Sequence, residues 1–303
     1  FDKYFAEFLL INLKELDDSQ YLKQLSNYIG RSLTKYSKRN RPAAAYLLAI
    51  SQDTELEQLL DISVYLELIH QFNLIEYEIK VDSRSRYAGL NLLSQLEKAN
   101  LNQDVNTSIA NTLDIFKYLI NRSRDSLTKS VPISRVLLAE SLYLKNNILA
   151  NNLSEDSQEI SNLANFMEAI RFSYSSEFEI IPMLIDSEHL STEESNEYTE
   201  LYIQLGLYFY LYGTYENYFG NKRKRSIDLS SIRLSKPDIL AVLTFQMQDT
   251  LNLEQLIGMD RDLFLEKAIE VGAKSKLITL CYQFKENCLN IADKLGIDLA
   301  ELI

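Results

Sequence analysis

The spacing of apolar residues along the chain predicts a protein built from helices. Apolar residues recur at i, i+3, i+4 and i+7 through long segments in which Gly (8) and Pro (4) are scarce, which is the period of amphipathic helices. No segment shows the alternating pattern of a strand flanked by hairpin turns. The predicted helices cover residues 3–15, 19–36, 42–51, 54–80, 86–99, 104–122, 133–150, 157–185, 192–219, 236–248, 260–271 and 274–294.

Local signals mark several of the helix ends. Pro42 suits a first helical turn, where its missing N–H costs nothing. The sequence STEE (191–194) fits a capping box between Ser191 and Glu194. Pro182 falls inside a helical pattern, so we expect it to kink that helix. Because no linker rich in Gly, Ser or Pro divides the chain, we expect one all-α domain over residues 1–303.

Two segments, 54–80 and 201–219, are apolar on more than one face. A helix that is apolar all round lies in the middle of a bundle. Glu67 and His70 on the first of these helices then need polar partners or a polar cavity, because burial of an unpaired polar group is costly. Two such helices, with their polar positions facing each other, would enclose a pocket inside the bundle.

Charge and composition narrow the classes of partner. The 303 residues are 46% hydrophobic and carry a formal net charge of −12, with a sequence pI of about 4.8. A chain this acidic repels nucleic-acid phosphates, so we expect no nucleic-acid partner. Any site for an anion must then be a local basic patch. No apolar run reaches the roughly 18 residues of a membrane span, and the first residues lack the basic start of a secretory signal. We therefore expect a cytoplasmic protein without a transmembrane segment.

The two cysteines, Cys281 and Cys288, lie seven residues apart in a helical segment. This spacing separates them by about 10 Å along the helix axis, which is too far for a disulfide. Neither has a nearby His, so a metal site is not indicated. We expect two reduced, core-facing thiols.

Four segments in the expected order resemble the landmarks of the trans-polyprenyl diphosphate synthase family. They are KRNRP (38–42), LELIHQFNLIEYE (66–78), LGLYFYLYGTYENYFG (205–220) and DLSSIRLSKP (228–237). The corresponding family motifs read G-K-x-x-R-P, E-L-I-H-x-x-S-L-I-H-D-D-x-x-D, L-G-x-x-F-Q-x-x-D-D-x-x-D and D-L-x-x-G-K-x-T-x-P. The resemblance implies an isoprenoid synthase helical bundle around a central cavity, and a prenyltransferase ancestry.

Residues that match the family's diphosphate ligands are retained. Lys38, Arg41 and His70 match the three residues that hold the diphosphate of isopentenyl diphosphate. Arg86 falls where the family has one or two diphosphate-contacting arginines, and Arg233 stands where it has a lysine. Fixed cations and a donor are chemically suited to replace the water around a diphosphate. The resemblance therefore implies an isoprenoid diphosphate ligand.

The aspartates that hold Mg²⁺ in the family are not retained. Its two clusters place carboxylates at i and i+4, on one helix face. The first cluster here reads Tyr77-Glu78-Ile79-Lys80-Val81 and the second reads Gly213-Thr214-Tyr215-Glu216-Asn217. Mg²⁺ requires hard oxygen ligands, so we assign no metal ligands and expect no Mg²⁺, the family's cofactor. The lysine of the family's K-T motif aligns with Ser173.

One alternative for metal binding stays open at the first cluster. Glu78 and Asp82 are themselves four residues apart. They lie one residue further along the helix, which turns their face by about 100° from that used by the family. Whether this pair rebuilds a metal site is not decided by the sequence.

The resemblance also implies which residues line the cavity. Phe72, Glu78, Tyr210 and Tyr215 occupy cavity positions, and the bulk of Phe72 predicts a short prenyl tail. The alternative is that the tyrosines fill the former metal cavity as core residues. The basic segment NKRKRS (221–226) is either a solvated loop or a cover for the cavity mouth.

Three functional hypotheses follow. The first is a non-catalytic or regulatory subunit of isoprenoid biosynthesis that keeps an isopentenyl-diphosphate-like site, as a homodimer or as a heterodimer with an active synthase. The second is a diverged, active prenyltransferase, either a short-chain prenyl diphosphate synthase or an enzyme that prenylates peptides. The third is a structural or partner-binding helical protein whose pocket is closed.

Overall fold

A computed structural model describes residues 1–16, 19–35, 39–80, 105–155, 162–185, 191–220, 238–248, 250–300 and 302–303. Every regular element within these ranges is a helix, which confirms the all-α prediction. None of the described helices combines the length and the apolar character needed to cross a membrane. The predicted helix 86–99 lies outside the described residues.

The N-terminal helices lie close to their predicted positions. They are α1 (Asp2–Lys14), α2 (Gln20–Lys35), α3 (Asn40–Ser51), α4 (Leu56–Lys80), α5 (Val105–Ser130) and α6 (Ile133–Glu155). Pro42 occupies the first turn of α3, as predicted. Helix α5 extends eight residues beyond its predicted end at residue 122, because Arg124, Asp125 and the other polar residues there do not interrupt the backbone hydrogen bonding.

The C-terminal helices include one long central helix and several short ones. After α7 (Leu163–Ile170) comes a π-helical turn (Arg171–Ser175), followed by α8 (Ser176–Glu179), α9 (Ile181–Leu184), α10 (Thr192–Phe219), α11 (Ile239–Gln246), α12 (Leu253–Ile257), α13 (Arg261–Glu270) and α14 (Ala273–Leu295). The predicted capping box is present at the start of α10, where Ser191 and Glu194 bond reciprocally. The short α12 was not predicted, although Asn252 and Gln255 form a second capping box.

The predicted helix 157–185 is wrong as one continuous element. It is divided into α7, the π-helical turn, α8 and α9. Pro182 does not kink a continuous helix but lies in the first turn of α9, after the backbone has already turned at Ile180. Proline is accommodated there because a first-turn N–H has no partner within the helix.

The chain divides into two compact units, Phe1–Val136 and Leu137–Ile303. In the first unit, α4 packs against α3 and α5, and its core is formed by apolar residues of α1, α2, α4 and α5, including Phe5, Ile29, Leu68 and Phe116. In the second unit, α10 packs along α14, and the core includes Leu211, Phe264 and Leu277. The expectation of a single domain stays a prediction.

Both segments that were predicted to lie in the middle of a bundle are buried over part of their length. Every residue of α4 from Asp61 to Ile69 is buried, and so is every residue of α10 from Leu201 to Phe209 except Gln204, which is half-buried. Both helices therefore contribute several faces to the core of their own unit, as their all-round apolar sequences require.

Candidate functional site

The first part of the candidate site is the start of α3. Arg41 lies in the first turn of this helix and is only 3% exposed. Helix α3 packs against α4, which carries His70. His70 is half-buried and follows the continuously buried stretch of α4. The structure thus places Arg41 and His70 on two packed helices of one unit, whereas Lys38 lies outside the described residues.

Glu67 lies one turn before His70 on α4, and its side chain is 1% exposed. Its Oε1 accepts a hydrogen bond from Nη1 of Arg39 at 2.7 Å and another from Nε2 of Gln71 at 2.9 Å. The predicted need of Glu67 for polar partners is therefore confirmed. A buried carboxylate is stable only when charge and hydrogen bonds compensate the loss of water.

The sequence predicted ligand roles for Lys38 and Arg41 but none for Arg39, which lies between them. It bridges several elements of the first unit and contacts Asp2, Glu67 and the carbonyl oxygen of Leu33. A sequence signal did exist: a buried glutamate needs compensating charge or hydrogen bonds, and the KRNRP segment supplies three cations.

Phe72 packs, partly buried, against the core of the first unit. Its assignment as a cavity residue that limits the prenyl tail stays a prediction. The side chain of Glu78 lies outside what the structure describes, as do Asp82, Arg86 and Arg233. The alternative Glu78/Asp82 metal pair and the cover formed by residues 221–226 also lie outside the described residues.

The second cluster lies in the last two turns of α10, in the C-terminal unit. At the i and i+4 positions, Gly213 has no side chain and Asn217 offers an amide. The main-chain oxygen of Asn217 accepts a hydrogen bond from Nη2 of Arg261 at 3.3 Å. Between them, the Thr214 hydroxyl donates to the carbonyl oxygen of Tyr210 at 3.0 Å. Glu216 is the cluster's one carboxylate.

Aromatic rings surround the second cluster. The Tyr210 ring meets the Tyr174 ring edge-on at 5.6 Å between centroids, and Tyr215 lies 5.7 Å from Phe219. Tyr210 and Tyr215 both pack, partly buried, against the core of the C-terminal unit. Aromatic packing of this kind is stabilising in itself. The contacts agree with the reading of these tyrosines as core residues, and their cavity role stays a prediction.

Burial raises the pKa of two tyrosine hydroxyls of α10. Burial raises the pKa of Tyr208 to about 12, with the neighbouring Tyr212 adding to the effect. The pKa of Tyr212 is raised by burial first, and then by the charge and hydrogen bond of Glu216. Both side chains are therefore neutral at ordinary pH, and neither is an anionic oxygen ligand for a cation.

The π-helical turn contains Ser173, the residue that the resemblance aligns with a lysine of the family. Such turns interrupt a helix and often lie near functional sites. Next to it, the buried Glu179 accepts a hydrogen bond from Nδ2 of Asn146 at 2.7 Å, and its other oxygen is 4.0 Å from Nη2 of Arg171. Glu179 is therefore paired with groups of the protein itself.

The described residues contain no group of three or more His, Cys, Asp or Glu side chains that could hold a metal ion. The five described residues of the second cluster are chemically unsuited to Mg²⁺, which needs several oxygen ligands in an octahedral arrangement. We derive no metal-dependent step from them.

The fold is that of the polyprenyl diphosphate synthases. A geranylgeranyl pyrophosphate synthase from Corynebacterium glutamicum, solved with isoprenyl diphosphate and magnesium, superposes with a TM-score of 0.81 and 18% identity, covering 99% of this chain and 93% of that one. A Pyrococcus horikoshii geranylgeranyl pyrophosphate synthetase superposes with a TM-score of 0.73 and 13% identity over 99% and 91% of the two chains.

A third similar structure is the polyprenyl synthase of Caulobacter crescentus, solved with calcium and isoprenyl diphosphate, with a TM-score of 0.69, 16% identity and coverage of 97% and 92%. No protein-family model matches the sequence, and no curated protein matches it. At these identities the likeness establishes the isoprenoid synthase fold, which confirms the predicted fold, and leaves the chemistry to the residues of this chain.

Proposed function

We propose that this protein binds an isoprenoid diphosphate without ionising it through Mg²⁺, and acts as a non-catalytic or regulatory subunit of isoprenoid biosynthesis. The observation that carries the proposal is the chemistry of α10 at residues 213–217. Gly213 and Asn217 stand at the two positions that share a helix face, and a Mg²⁺ site there would need carboxylates.

The contacts around this cluster support the proposal. Tyr210 and Tyr215 are packed against the core, and the carbonyl oxygen of Asn217 is already bonded to Arg261. Charge stabilisation of a leaving diphosphate is worth several kcal/mol for each fixed group. A site with one carboxylate in place of a metal-binding set cannot supply it.

The retained basic residues support diphosphate binding. Arg41 is a guanidinium in the first turn of α3, and α3 packs on the helix that carries His70. A planar guanidinium matches the geometry of phosphate oxygens. Since the whole chain has a net charge of −12, attraction of an anion has to come from such a local group rather than from the overall field.

The experiment is a calorimetric titration of isopentenyl diphosphate into the wild type and into Lys38→Ala/Arg41→Ala. We expect saturable binding to the wild type that EDTA does not change. Loss of two charge-assisted contacts should weaken it by about 100-fold. The matched control is Lys3→Ala/Lys129→Ala, which removes the same charge from two exposed side chains of the same unit and should leave the affinity unchanged.

Two results would contradict the proposal in different ways. Release of inorganic pyrophosphate from an allylic diphosphate in the presence of Mg²⁺ would show a diverged, active prenyltransferase. Absence of any diphosphate binding would favour the structural helical protein with a closed pocket.

We propose further that the protein self-associates through α6. One face of this helix presents an uncharged stripe with spacings of four, three and four, as in a helix–helix seam: Leu137, Ser141, Leu144 and Ile148. Leu144 and Ile148 are 60% and 61% exposed. Glu140 and Lys145 flank the stripe with opposite charges, so two antiparallel copies of the same face would pair unlike charges.

Mass photometry of Leu144→Gln/Ile148→Gln tests this interface. We expect a dimeric wild type and a monomeric variant. The control Leu263→Gln/Ile269→Gln alters two similarly exposed residues of α13 and should remain dimeric. A monomeric wild type would contradict the homodimer and direct the search to a heterodimer with an active synthase.

A further inference from the structure

Arg39 has a backbone conformation that L-residues rarely adopt. It precedes α3 with φ 54° and ψ 30°, in the left-handed region. A residue other than glycine stays in this region only where surrounding contacts hold it there. Those contacts are made by its own side chain.

The Arg39 guanidinium connects three helices of the N-terminal unit. Its Nε donates to Oδ1 of Asp2 in α1 at 3.0 Å, its Nη1 to Oε1 of Glu67 in α4 at 2.7 Å, and its Nη2 to the carbonyl oxygen of Leu33 in α2 at 2.7 Å. The guanidinium carbon also lies 4.8 Å from the centre of the Phe5 ring. These contacts connect the start of α3 to α1, α2 and α4.

The start of α3 also determines where Arg41, one of the candidate diphosphate ligands, lies. Arg41 follows Arg39 by two residues, in the first turn of α3. On α4, Glu67 is one turn from His70, on the same side of the helix. The Arg39–Glu67 ion pair therefore joins the start of α3, which carries Arg41, to α4, which carries His70.

We propose that the Arg39–Glu67 ion pair positions Arg41 and His70, the described residues of the proposed diphosphate site. This inference rests on the proposed function, since it assigns a role to residues beside that site. Each of the three guanidinium nitrogens of Arg39 donates to a group of the protein itself, so we assign it the role of positioning the ligands rather than binding the anion.

Removal of the Glu67 charge gives a test in which two explanations predict opposite signs. A carboxylate near an anion site repels the anion through space, so its neutralisation alone should strengthen binding. If Glu67 instead holds Arg39, and through it the start of α3, neutralisation loosens the ligands and weakens binding. The direction of the change in affinity separates the two.

The experiment compares the pyrophosphate affinities of the wild type, Glu67→Gln and Asp61→Asn by calorimetry. Asp61 is the matched control, because it is also a buried carboxylate of α4 and accepts hydrogen bonds from Tyr4 at 2.8 Å and Ser126 at 3.1 Å. We expect Glu67→Gln to weaken binding roughly ten-fold, the usual size of an effect through a supporting residue. Asp61→Asn should bind at least as tightly as the wild type.

The double variant Arg39→Gln/Glu67→Gln replaces Glu67→Gln in this test if the single variant does not fold, because removing both charges leaves no uncompensated buried charge. Its thermal unfolding is measured beside its pyrophosphate affinity. The single variant Arg39→Lys, which keeps Glu67, should retain part of the affinity that the double variant loses. A folded variant that binds pyrophosphate as tightly as the wild type would overturn the positioning role alone. A wild type that binds no pyrophosphate would overturn the proposed function, and this role with it.

Discussion

Replacement of Gly206 by alanine tests how α10 packs against the π-helical turn. Gly206 is the first glycine of the LGLYFYLYGTYENYFG segment and is buried. A Cβ at this position would lie 2.7 Å from Cα of Ser175, 2.7 Å from its Oγ and 2.8 Å from its Cβ. Since one of these atoms belongs to the main chain, rotation of the Ser175 side chain cannot relieve the overlap.

The size of the effect follows from two opposing terms. Overpacking of this kind typically costs about 1–3 kcal/mol, and a contact with main-chain atoms belongs at the upper end. Alanine regains about 0.5–1 kcal/mol over glycine in a helix interior. We therefore expect Gly206→Ala to lower the free energy of unfolding by about 1–2 kcal/mol.

Gly213 is the matched control, because it lies in the same helix and a Cβ there would meet no atom within 4 Å. Gly213→Ala should raise the stability by about 0.5–1 kcal/mol through helix propensity alone. Since both variants carry the same propensity gain, their difference of about 1.5–3 kcal/mol isolates the packing term.

Urea unfolding followed by circular dichroism measures both variants against the wild type. The midpoint of Gly206→Ala should fall and that of Gly213→Ala should rise, with similar slopes. Equal midpoints for the two variants would refute the close approach of α10 to the π-helical turn.

The buried Ser175 hydroxyl has no hydrogen-bond partner within the described ranges, so Ser175→Ala should stabilise the protein by about 1 kcal/mol in urea unfolding; a loss of stability would reveal a partner. Burial raises the pKa of Cys281 from 9.0 to about 11 and that of Cys288 to about 12. The folded state therefore favours the neutral thiols, so the stability they supply is present below pH 9 and is lost as the pH rises from 9 to 12. Unfolding midpoints measured across this range should fall less steeply with pH for Cys288→Ala than for the wild type. An equal fall with pH for both proteins would contradict the raised pKa of the buried Cys288 thiol. Asp238 caps α11 by accepting the Ala241 N–H at 3.0 Å and also accepts from the Tyr218 hydroxyl; Asp238→Ala should cost about 1–3 kcal/mol in thermal unfolding, and an unchanged midpoint would contradict this.

Much of the fold follows from the sequence because its signals are local. The bounds of α10 were predicted as residues 192–219, which the structure has as Thr192–Phe219, since a capping box and an unbroken apolar pattern mark that helix. The two cysteines were predicted to be unpaired and are free, with Cys288 fully buried. Periodicity and caps act within a few residues, so they can be read without knowledge of the fold.

Features that depend on contacts between distant residues were not predicted. The break after Ile170 coincides with the turn whose Ser175 meets Gly206, about thirty residues away, and no local signal in that segment shows such a contact. The left-handed backbone of Arg39 is held by Asp2 and Glu67, which are 37 and 28 residues distant. A pattern of residue types cannot show which cation reaches a buried carboxylate.

The central claim is that a diphosphate is bound without metal-dependent ionisation. Its most direct test is the calorimetric affinity for geranyl diphosphate with Mg²⁺ and with EDTA, with inorganic pyrophosphate assayed in the same samples after prolonged incubation with isopentenyl diphosphate. We expect the same affinity under both conditions and no pyrophosphate release. Binding of geranyl diphosphate that requires Mg²⁺, together with pyrophosphate release, would contradict it.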